Sequence, residues 1–408
     1  MKKVLPVVLL TFVNTLGFSL FIPVFPFVVE KYGGGPIMFG VLLSIYSIFQ
    51  FLGAPVLGAF SDRYGRRPII LISFIGTLIG WLIFALAYFA PNYQLWILPL
   101  PMVIILFARV IDGITGGNNS VAVAFASDIT TPEEKTKVFG LMGGVLGVGL
   151  LVGPALGGLT GSTQYEYLGT VLLAAAISCG TLIYIYFFMP ESLEPKNRVK
   201  DLGFAFHKEI NLIRRIRKYT HNKYVLNLFF MRAFFTFVFM SYTSILVLYV
   251  RNSFGLNPKE LGLLFLFIGS FLIFNQVVIS PRLARRYGNM KTFVIGLGLI
   301  IIGLPGLIFV GNLPAFILNA YVINLGISCS MPTFRTLLTT NVDRSQQGEV
   351  TGIDESILAG ASAISPLFAS ILYAHVHRLV FFILSLILTL ALSAFIVRHR
   401  RWRAALIS

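Results

Sequence analysis

Charged residues are scarce in this chain. Only 12% of its 408 residues are Asp, Glu, Lys or Arg, whereas 56% are hydrophobic. An ordinary soluble domain does not need so large an apolar fraction. The composition therefore excludes a soluble globular protein and predicts a protein that crosses the membrane several times.

Cysteine and histidine are also rare. The two cysteines, Cys179 and Cys329, both fall inside apolar runs, which excludes a disulfide framework and a cysteine-rich metal site. The five histidines lie in loops or at the edges of apolar runs, and no nucleophile, base and orienting group stand out. We therefore expect neither an enzyme nor a bound metal or other cofactor.

What the sequence does contain is a series of long apolar runs. A helix needs about 20 apolar residues to cross the hydrocarbon core, whereas strands of a membrane barrel would alternate in polarity over about 10 residues. The runs here are continuous, which predicts an all-α membrane protein with twelve transmembrane helices. They cover residues 4–29, 37–60, 69–89, 97–126, 137–160, 167–189, 224–250, 259–281, 291–310, 314–340, 349–374 and 378–397.

The basic charge follows this topology. The chain has 32 Lys and Arg, a net charge of +16, and most of these residues fall in loops on the side of the two termini. The exceptions are Lys31, Arg251, Lys259 and Arg378 on the other side, and Arg109, Arg232 and Arg335 within apolar runs. This asymmetry predicts cytoplasmic termini. Topology explains the basic charge, so no nucleic-acid partner is required. We expect the protein to lie in the lipid bilayer of the plasma membrane and to be a monomer.

A polar segment divides the runs into two sets of six. We predict an N-terminal bundle over 1–190, a cytoplasmic linker over 191–223 and a C-terminal bundle over 224–408. Residues 204–216 fit either an amphipathic helix on the membrane surface or a solvated linker. The halves also share elements: "RYGRRPII" at 63–70 recurs as "RYGNMKTF" at 286–293, and "FGLMGGVLGVGLLVGP" at 139–154 aligns with "TGIDESILAGASAISP" at 351–366. This repetition predicts two pseudo-symmetric six-helix bundles.

Three motifs carry a resemblance to a known family. They are "GAFSDRYGRRP" between the second and third runs, "ARVIDGITGGNNSVAVAFASDIT" in the fourth and "GVGLLVGPALGG" in the fifth. On these motifs the chain resembles the major facilitator superfamily, and within it the twelve-helix drug:proton antiporters that include tetracycline efflux proteins. The resemblance implies transport by alternating access to a site between the bundles. It also implies antiport, because the third motif is typical of the antiporters of this family.

The first and third motifs predict residues that control conformational change. Glycine allows close helix approach and tight turns, and proline bends a helix or begins one. By resemblance Asp62 faces the N-terminus of the helix that begins near Glu349, and the arginines of the loop can pair with Asp128. Alternatively, the arginines only enforce topology. The predicted gating residues are Gly58, Asp62, Arg63, Gly65, Arg66, Arg67, Asp128, Gly153 and Pro154.

Arg109 and Asp112 lie within the fourth apolar run, three positions apart and hence on one helix face. Ionisable residues in a bilayer are costly, so each one is a functional candidate. One interpretation is that the pair neutralises itself and only holds its helix in place. The other is that Arg109 binds an anionic group or tunes the pKa of a nearby acid, which would be Asp112. By resemblance Arg109 matches a helix 4 arginine of the family, which favours the functional interpretation.

Asp354 and Glu355 lie in the eleventh run and are either first-turn acids or proton carriers. Asn14 and Gly80 stand where, by resemblance, tetracycline exporters have acids, so coupling must use other groups. Asp354 and Glu355 have no cationic neighbour in sequence, and we therefore assign the proton to one of them and fixed polarity to Arg109 with Asp112.

Arg232 is isolated in sequence and requires an acid from another helix or access to water. Arg335, near a helix end, is expected to extend toward the cytoplasm.

The sequence thus predicts a secondary active transporter, a proton-coupled antiporter that exports an amphipathic small molecule. One alternative is an uncoupled facilitator or a lipid flippase of the same fold. Another is a membrane sensor or scaffold that does not transport, which the intact motifs disfavour. The predicted site residues for substrate or proton are Asn14, Arg109, Asp112, Arg232, Asp354 and Glu355.

Overall fold

A computed structural model describes residues 4–199, 216–219, 222–343 and 346–407. The chain forms two compact units, Met1–Phe206 with Gly255–Leu266, and His207–Phe254 with Phe267–Ser408. The predicted domain boundaries at 190 and 224 stay a prediction. The predicted surface helix over 204–216 lies outside the described residues, apart from its last position.

The first unit is built almost entirely from helices. A two-stranded antiparallel hairpin, β1 (Gln94–Leu95) and β2 (Leu98–Pro99), joins α4 to α5. The helices are α1 (Leu5–Leu20), α2 (Phe25–Lys31), α3 (Pro36–Tyr64), α4 (Arg66–Phe89), α5 (Leu100–Gly116), α6 (Asn119–Asp128), α7 (Pro132–Gly161) and α8 (Tyr167–Phe188).

The remaining described chain is helical as well. A π-helical turn over Asn275–Ile279 connects α10 to α11, and a 3₁₀ turn over His377–Leu379 separates the last two helices. The helices are α9 (Lys223–Phe254), α10 (Pro258–Phe274), α11 (Ser280–Tyr287), α12 (Asn289–Phe309), α13 (Leu313–Thr340), α14 (Gln347–Val376) and α15 (Val380–Ile407). The start of α10 belongs to the first unit.

These helices give twelve membrane spans. Ten continuous stretches are long and apolar enough to cross a bilayer, and α1 with α2 forms a further span bent by 43°. One of the ten, Gln347–Arg398, has 52 residues, which at about 1.5 Å per residue is more than twice the hydrocarbon thickness. It is broken at His377, whose φ of +47° ends the helix. The predicted all-α architecture of twelve transmembrane helices is confirmed.

The internal repeat is visible in the backbone at two turns. Gly65 separates α3 from α4 with a φ of +106°, and Gly288 separates α11 from α12 with a φ of +82°. L-residues rarely adopt these angles, and glycine does so without steric cost. The repeated "RYG" sequence therefore encodes the same helix–turn–helix connection in both halves.

Close packing of α7 against α1 depends on small residues. A Cβ atom on Gly153 would overlap the Ser19 side chain, and one on Gly157 would overlap the backbone of Leu20. The Ser19 hydroxyl donates to the carbonyl of Gly149 over 2.8 Å. The glycines around Pro154 thus allow the two helices to approach closely, as in other membrane helix pairs.

Candidate functional site

Arg66 is the centre of a group of charges at the turn between α3 and α4. Its Nη1 donates to Oδ1 of Asp62 over 2.5 Å and to the Ser61 hydroxyl over 2.7 Å, and its Nε donates to Oδ2 of Asp128 over 3.0 Å. The Arg66 side chain is buried. We call Asp62, Arg66 and Asp128 the loop charge cluster; its hydrogen bonds join α3, α4 and α6.

The other two arginines of the motif have different partners. Arg63 lies over the ring of Tyr64, with 5.3 Å between Cζ and the ring centroid. Arg67 donates from Nη2 to the carbonyl oxygen of Tyr186 over 2.5 Å. Of the three arginines expected to pair with Asp128, only Arg66 does so among the described contacts. The side chains of Arg63 and Arg67 lie on other faces of their helices.

Glu191, which was not predicted from the sequence, completes this region. Its carboxylate accepts hydrogen bonds from the backbone N–H groups of Arg66 over 2.9 Å and Arg67 over 3.3 Å. These donors belong to the first turn of α4, where the helix dipole favours a negative charge. A Cβ atom on Gly65 would collide with the Glu191 carboxylate. The signal available was an acid directly after the sixth apolar run.

Arg109 and Asp112 form a buried ion pair on α5. Nη2 of Arg109 lies 3.4 Å from Oδ2 of Asp112, and both residues are at least 94% buried. Among the described residues, Nε and Nη2 of Arg109 have no hydrogen-bond partner. Two donor nitrogens of this buried cation therefore make no hydrogen bond, although Nη2 faces the Asp112 carboxylate.

Aromatic rings surround the Arg109 guanidinium. Cζ lies between 4.7 and 5.9 Å from the centroids of five rings, a range in which cation–π attraction operates. The rings come from α1–α2, α3 and α4 and belong to Phe21, Phe25, Tyr46, Trp81 and Phe84. We call this arrangement, with Asp112, the Arg109 site. It combines a charged pair with flat apolar surfaces inside the bundle.

Gly80 and Asn14, the two positions without the expected acids, both lie in the first unit. A Cβ atom on Gly80 would lie 3.2 Å from Cβ of Asp112, so the glycine lets α4 approach α5 beside the ion pair. Asn14 donates to Oδ1 of Asn118 over 2.7 Å, and Asn118 donates to the Ser73 hydroxyl over 2.7 Å. This amide chain joins α1, the break between α5 and α6, and α4 without a formal charge.

Arg232 and Asp354 form the corresponding buried pair in the second unit. Nε of Arg232 on α9 lies 2.5 Å from Oδ1 of Asp354 on α14, and Nη2 lies 3.5 Å from Oδ2. The Arg232 guanidinium also lies over the rings of Phe334 and Phe235, at 5.1 and 5.9 Å. The acid from another helix that Arg232 requires is therefore present.

The acids of α14 have cationic neighbours in space, contrary to the expectation from sequence. Arg335 on α13 lies 3.8 Å from Oδ2 of Asp354 and donates to Oε1 of Glu355 over 2.6 Å. Because α14 begins at Gln347, both acids lie beyond its first turn, and the interpretation as first-turn acids is wrong. Asp354 is 1% exposed, whereas the side chains of Glu355 and Arg335 are mostly exposed.

The motifs and the fold match known proteins. The family model described as Major Facilitator Superfamily matches residues 7–356 and 282–406. A class C tetracycline resistance protein from Escherichia coli is 31% identical over 82% of this chain and 80% of its own, and a class H protein from Pasteurella multocida is 28% identical over 92% and 90%. The crystal structure of a human organic anion transporter, 22% identical, aligns with a TM-score of 0.71 over 97% of this chain and 99% of that one, a likeness of fold.

Proposed function

Because the chain belongs to the major facilitator superfamily, and is thus a multi-pass membrane transporter and not an enzyme, we propose that it is a proton-coupled antiporter that exports an amphipathic small molecule. Its place is the plasma membrane, with both termini in the cytoplasm. The observation that carries the proposal is the position of Asp354 between Arg232 and Arg335, inside a membrane-spanning helix.

Asp354 is the proposed proton carrier. When ionised, it neutralises Arg232, whose charge would otherwise be costly in the bilayer. When protonated, it leaves Arg232 without a counter-charge, and the unit then favours a conformation in which water reaches the guanidinium. Proton binding and conformation are thereby coupled, as antiport requires. Glu355, which is largely exposed and paired with Arg335, is the second candidate of this helix.

The Arg109 site is the proposed location of the substrate. The unpartnered donors of Arg109 suit a polar acceptor of the substrate, and Asp112 supplies the balancing charge. The surrounding rings suit flat apolar groups. Asn14, on α1 and hydrogen-bonded to Asn118, is the proposed neutral polar contact for the substrate on that helix. An amphipathic molecule meets both requirements of this site.

The loop charge cluster is the proposed control of conformational change. Charged hydrogen bonds that form in one state and break in another shift the balance between the states. Gly65 gives the turn its close contact with Glu191, while Gly153 with Pro154 shapes α7 against α1. Gly58 lies within α3, where an added Cβ atom would meet only the Ser120 hydroxyl at 3.9 Å, so the close helix approach predicted for it is not present. The arginines Arg63 and Arg67 have an auxiliary role as topology determinants.

The test first requires a substrate. A thermal-stabilisation screen of the purified protein with tetracycline, ethidium and related drugs can identify one, because a ligand that binds the folded state raises the melting temperature. In proteoliposomes, a substrate gradient should then drive protons in the direction opposite to the substrate, as measured at several pH values from about 5.5 to 8. Substrate transport without proton movement would identify an uncoupled facilitator or flippase. Binding without transport would indicate a sensor.

The residue assignment has its own test. Asp354→Asn combined with Arg232→Gln removes both charges and avoids an unpaired one, so the variant should fold and transport without moving protons. Glu355→Gln is the comparison, because it neutralises the adjacent acid and leaves the Arg232 pair intact; it should keep coupled proton flux, and loss of that flux in Glu355→Gln alone would assign the proton to Glu355 instead. Coupled proton flux that survives the double substitution would remove Asp354 from the mechanism.

A further inference from the structure

Lys31, the last residue of α2, occupies a cage of one carboxylate and two tyrosine rings. Its Nζ forms an ion pair with Oε2 of Glu166. The same atom lies 4.6 Å from the ring centroid of Tyr88 and 5.6 Å from that of Tyr167. A carboxylate and aromatic faces are the groups with which proteins recognise ammonium and quaternary ammonium ions. We call Tyr88, Glu166 and Tyr167 the cation cage.

The cage is held in place by its own contacts. The hydroxyls of Tyr32 and Tyr167 share a hydrogen bond of 2.6 Å, and the Tyr32 hydroxyl donates to the carbonyl of Ala87 over 3.0 Å. The rings of Tyr88 and Tyr167 meet edge to face at 5.6 Å. Glu166 has a φ of +50° and a ψ of −134°, a backbone conformation that residues other than glycine rarely adopt. Such strain is typical of positions that serve a function.

A cavity of about 430 Å³ opens beside the cage, within the first unit. This volume falls in the range of small-molecule sites, about 300 to 1,000 Å³. Lys31, Glu166 and Tyr167 belong to the wall of the cavity, and the other lining residues are mainly apolar: Val24, Phe27, Val28, Glu30, Gly161 and Pro258. The cavity therefore offers an apolar volume with a cation-binding end.

We propose that this cavity binds an amphipathic organic cation, and that Lys31 is an internal occupant which the ligand displaces from the cage. The Lys31 side chain is 35% exposed and its flexible stem can carry the ammonium into water. The charge of the ligand then lies between Glu166 and Tyr88, and its apolar groups fill the cavity. The site shares no residue with the Arg109 site and does not include Asp354, although the ring of Tyr167 packs against Phe84 of the Arg109 site at 5.8 Å. It is therefore a second binding site beyond the proposed function.

The chemistry of the walls selects a cation over an anion. Two carboxylates, those of Glu30 and Glu166, border the cavity, and the faces of tyrosine rings carry negative electrostatic potential. The one basic side chain in the wall, Lys31, is already paired with Glu166. An anion would have to separate this pair and then lie against the remaining carboxylates.

Two probes of the same shape and opposite charge test the proposal: tetraphenylphosphonium and tetraphenylborate. Their binding to the full-length protein in nanodiscs is measured by equilibrium dialysis, with empty nanodiscs subtracted. Lys31→Met removes the internal occupant and should tighten phosphonium binding about five- to tenfold. This is the gain expected when the ligand cation replaces Lys31 over the tyrosine rings and beside the carboxylate. Lys31→Arg keeps a cation in the cage and should leave the affinity within about twofold of the parent.

Substitutions of the cage complete the design. In the Lys31→Met protein, Tyr88→Leu or Glu166→Gln should each cancel the gain, while tetraphenylborate should not gain in any variant. Tyr88→Leu alone, in the protein with Lys31, should weaken phosphonium binding. This comparison tests the proposal even if the Lys31→Met protein does not fold. An unchanged phosphonium affinity in Lys31→Met, or an equal gain for tetraphenylborate, would overturn the proposal.

Discussion

Nε of Arg232 lies 2.5 Å from Oδ1 of Asp354, 122 positions further along the sequence, and less than 5% of either residue is exposed. The pair joins α9 to α14 and is the charged contact buried deepest in the second unit among those described. Arg109 and Asp112 form a comparable pair in the first unit, but on a single helix. Separation of Arg232 from Asp354 would therefore release two helices from each other. Separation of Arg109 from Asp112 would change only the local polarity of one helix.

Removal of one partner from the Arg232–Asp354 pair should destabilise the protein strongly. Asp354→Asn leaves a buried guanidinium without its counter-charge, and we expect a loss of about 3 kcal/mol in the free energy of unfolding. Arg232→Gln together with Asp354→Asn should recover most of this loss. Melting temperatures of the purified variants, measured in one detergent, give the comparison. A double variant no more stable than Asp354→Asn would show that the loss of stability does not come from the unpaired Arg232 charge.

Substitutions in the loop charge cluster should impair transport more than insertion into the membrane. Asp62→Asn, Arg66→Ala and Asp128→Asn each remove a charged hydrogen bond worth about 1.5 to 3 kcal/mol. If the bonds exist in only one transport state, the rate should fall about tenfold or more. Arg66→Ala should have the largest effect, because it breaks both bonds at once.

Arg63→Ala is the matched control for this cluster. It removes a positive charge from the same turn, but its guanidinium lies over the ring of Tyr64 rather than on an acid. Transport should therefore stay close to that of the parent, with equal amounts of protein in the membrane fraction. Equal loss of transport in Arg63→Ala and Arg66→Ala would show that only the net charge of the loop is required.

Gly153 tests the packing of α7 on α1. A methyl group at this position would overlap the Ser19 side chain, so Gly153→Ala should push the helices apart and lower the melting temperature. Gly147→Ala, six residues earlier on the same helix, introduces the same methyl group where no atom of another described segment lies within 4 Å. It should be neutral or slightly stabilising, since alanine favours a helix by about 1 kcal/mol over glycine. Equal melting temperatures for the two variants would contradict the close approach seen at Gly153.

Much of the fold could be predicted from the sequence, because membrane helices are encoded by local apolar length and their turns by local motifs. The twelve spans follow from run length, and the repeated "RYG" turns follow from Gly65 and Gly288. The pairing of Arg66 with Asp128 was also predictable, since the loop motif restricts the few available partners.

The composition of the sites was less predictable, because it depends on contacts between distant segments. Arg335 is 20 residues from Glu355 and on another helix, so the sequence alone suggested acids without cations. The rings around Arg109 come from three other spans, and no periodic pattern distinguishes them from the many other aromatic residues. Glu191 was missed because its hydrogen bonds are accepted from backbone N–H groups of α4, and an acid after an apolar run does not show which helix end it will contact.

The amide chain through Asn14 distinguishes a structural role of that residue from a role in coupling. Asn14 donates to Asn118, and Asn118 donates to Ser73, so Asn118 carries two hydrogen bonds and Asn14 one. We expect Asn14→Ala to lower the free energy of unfolding by about 1 kcal/mol and Asn118→Ala by about twice as much. The double variant should be less destabilised than the sum of the two, because both substitutions remove the same bond.

Transport measurements on the same variants decide between the two roles. If Asn14 only joins helices, Asn14→Ala should keep the ratio of protons to substrate and the apparent substrate affinity of the parent, with reduced thermal stability. If it contacts the substrate, the apparent affinity should fall about fivefold or more, the effect of one lost hydrogen bond of about 1 kcal/mol. Serine at position 14 is the informative intermediate, since it retains a donor but shortens the side chain. Recovery of substrate affinity by Asn14→Ser without recovery of stability would assign Asn14 to the substrate and not to the helix contact.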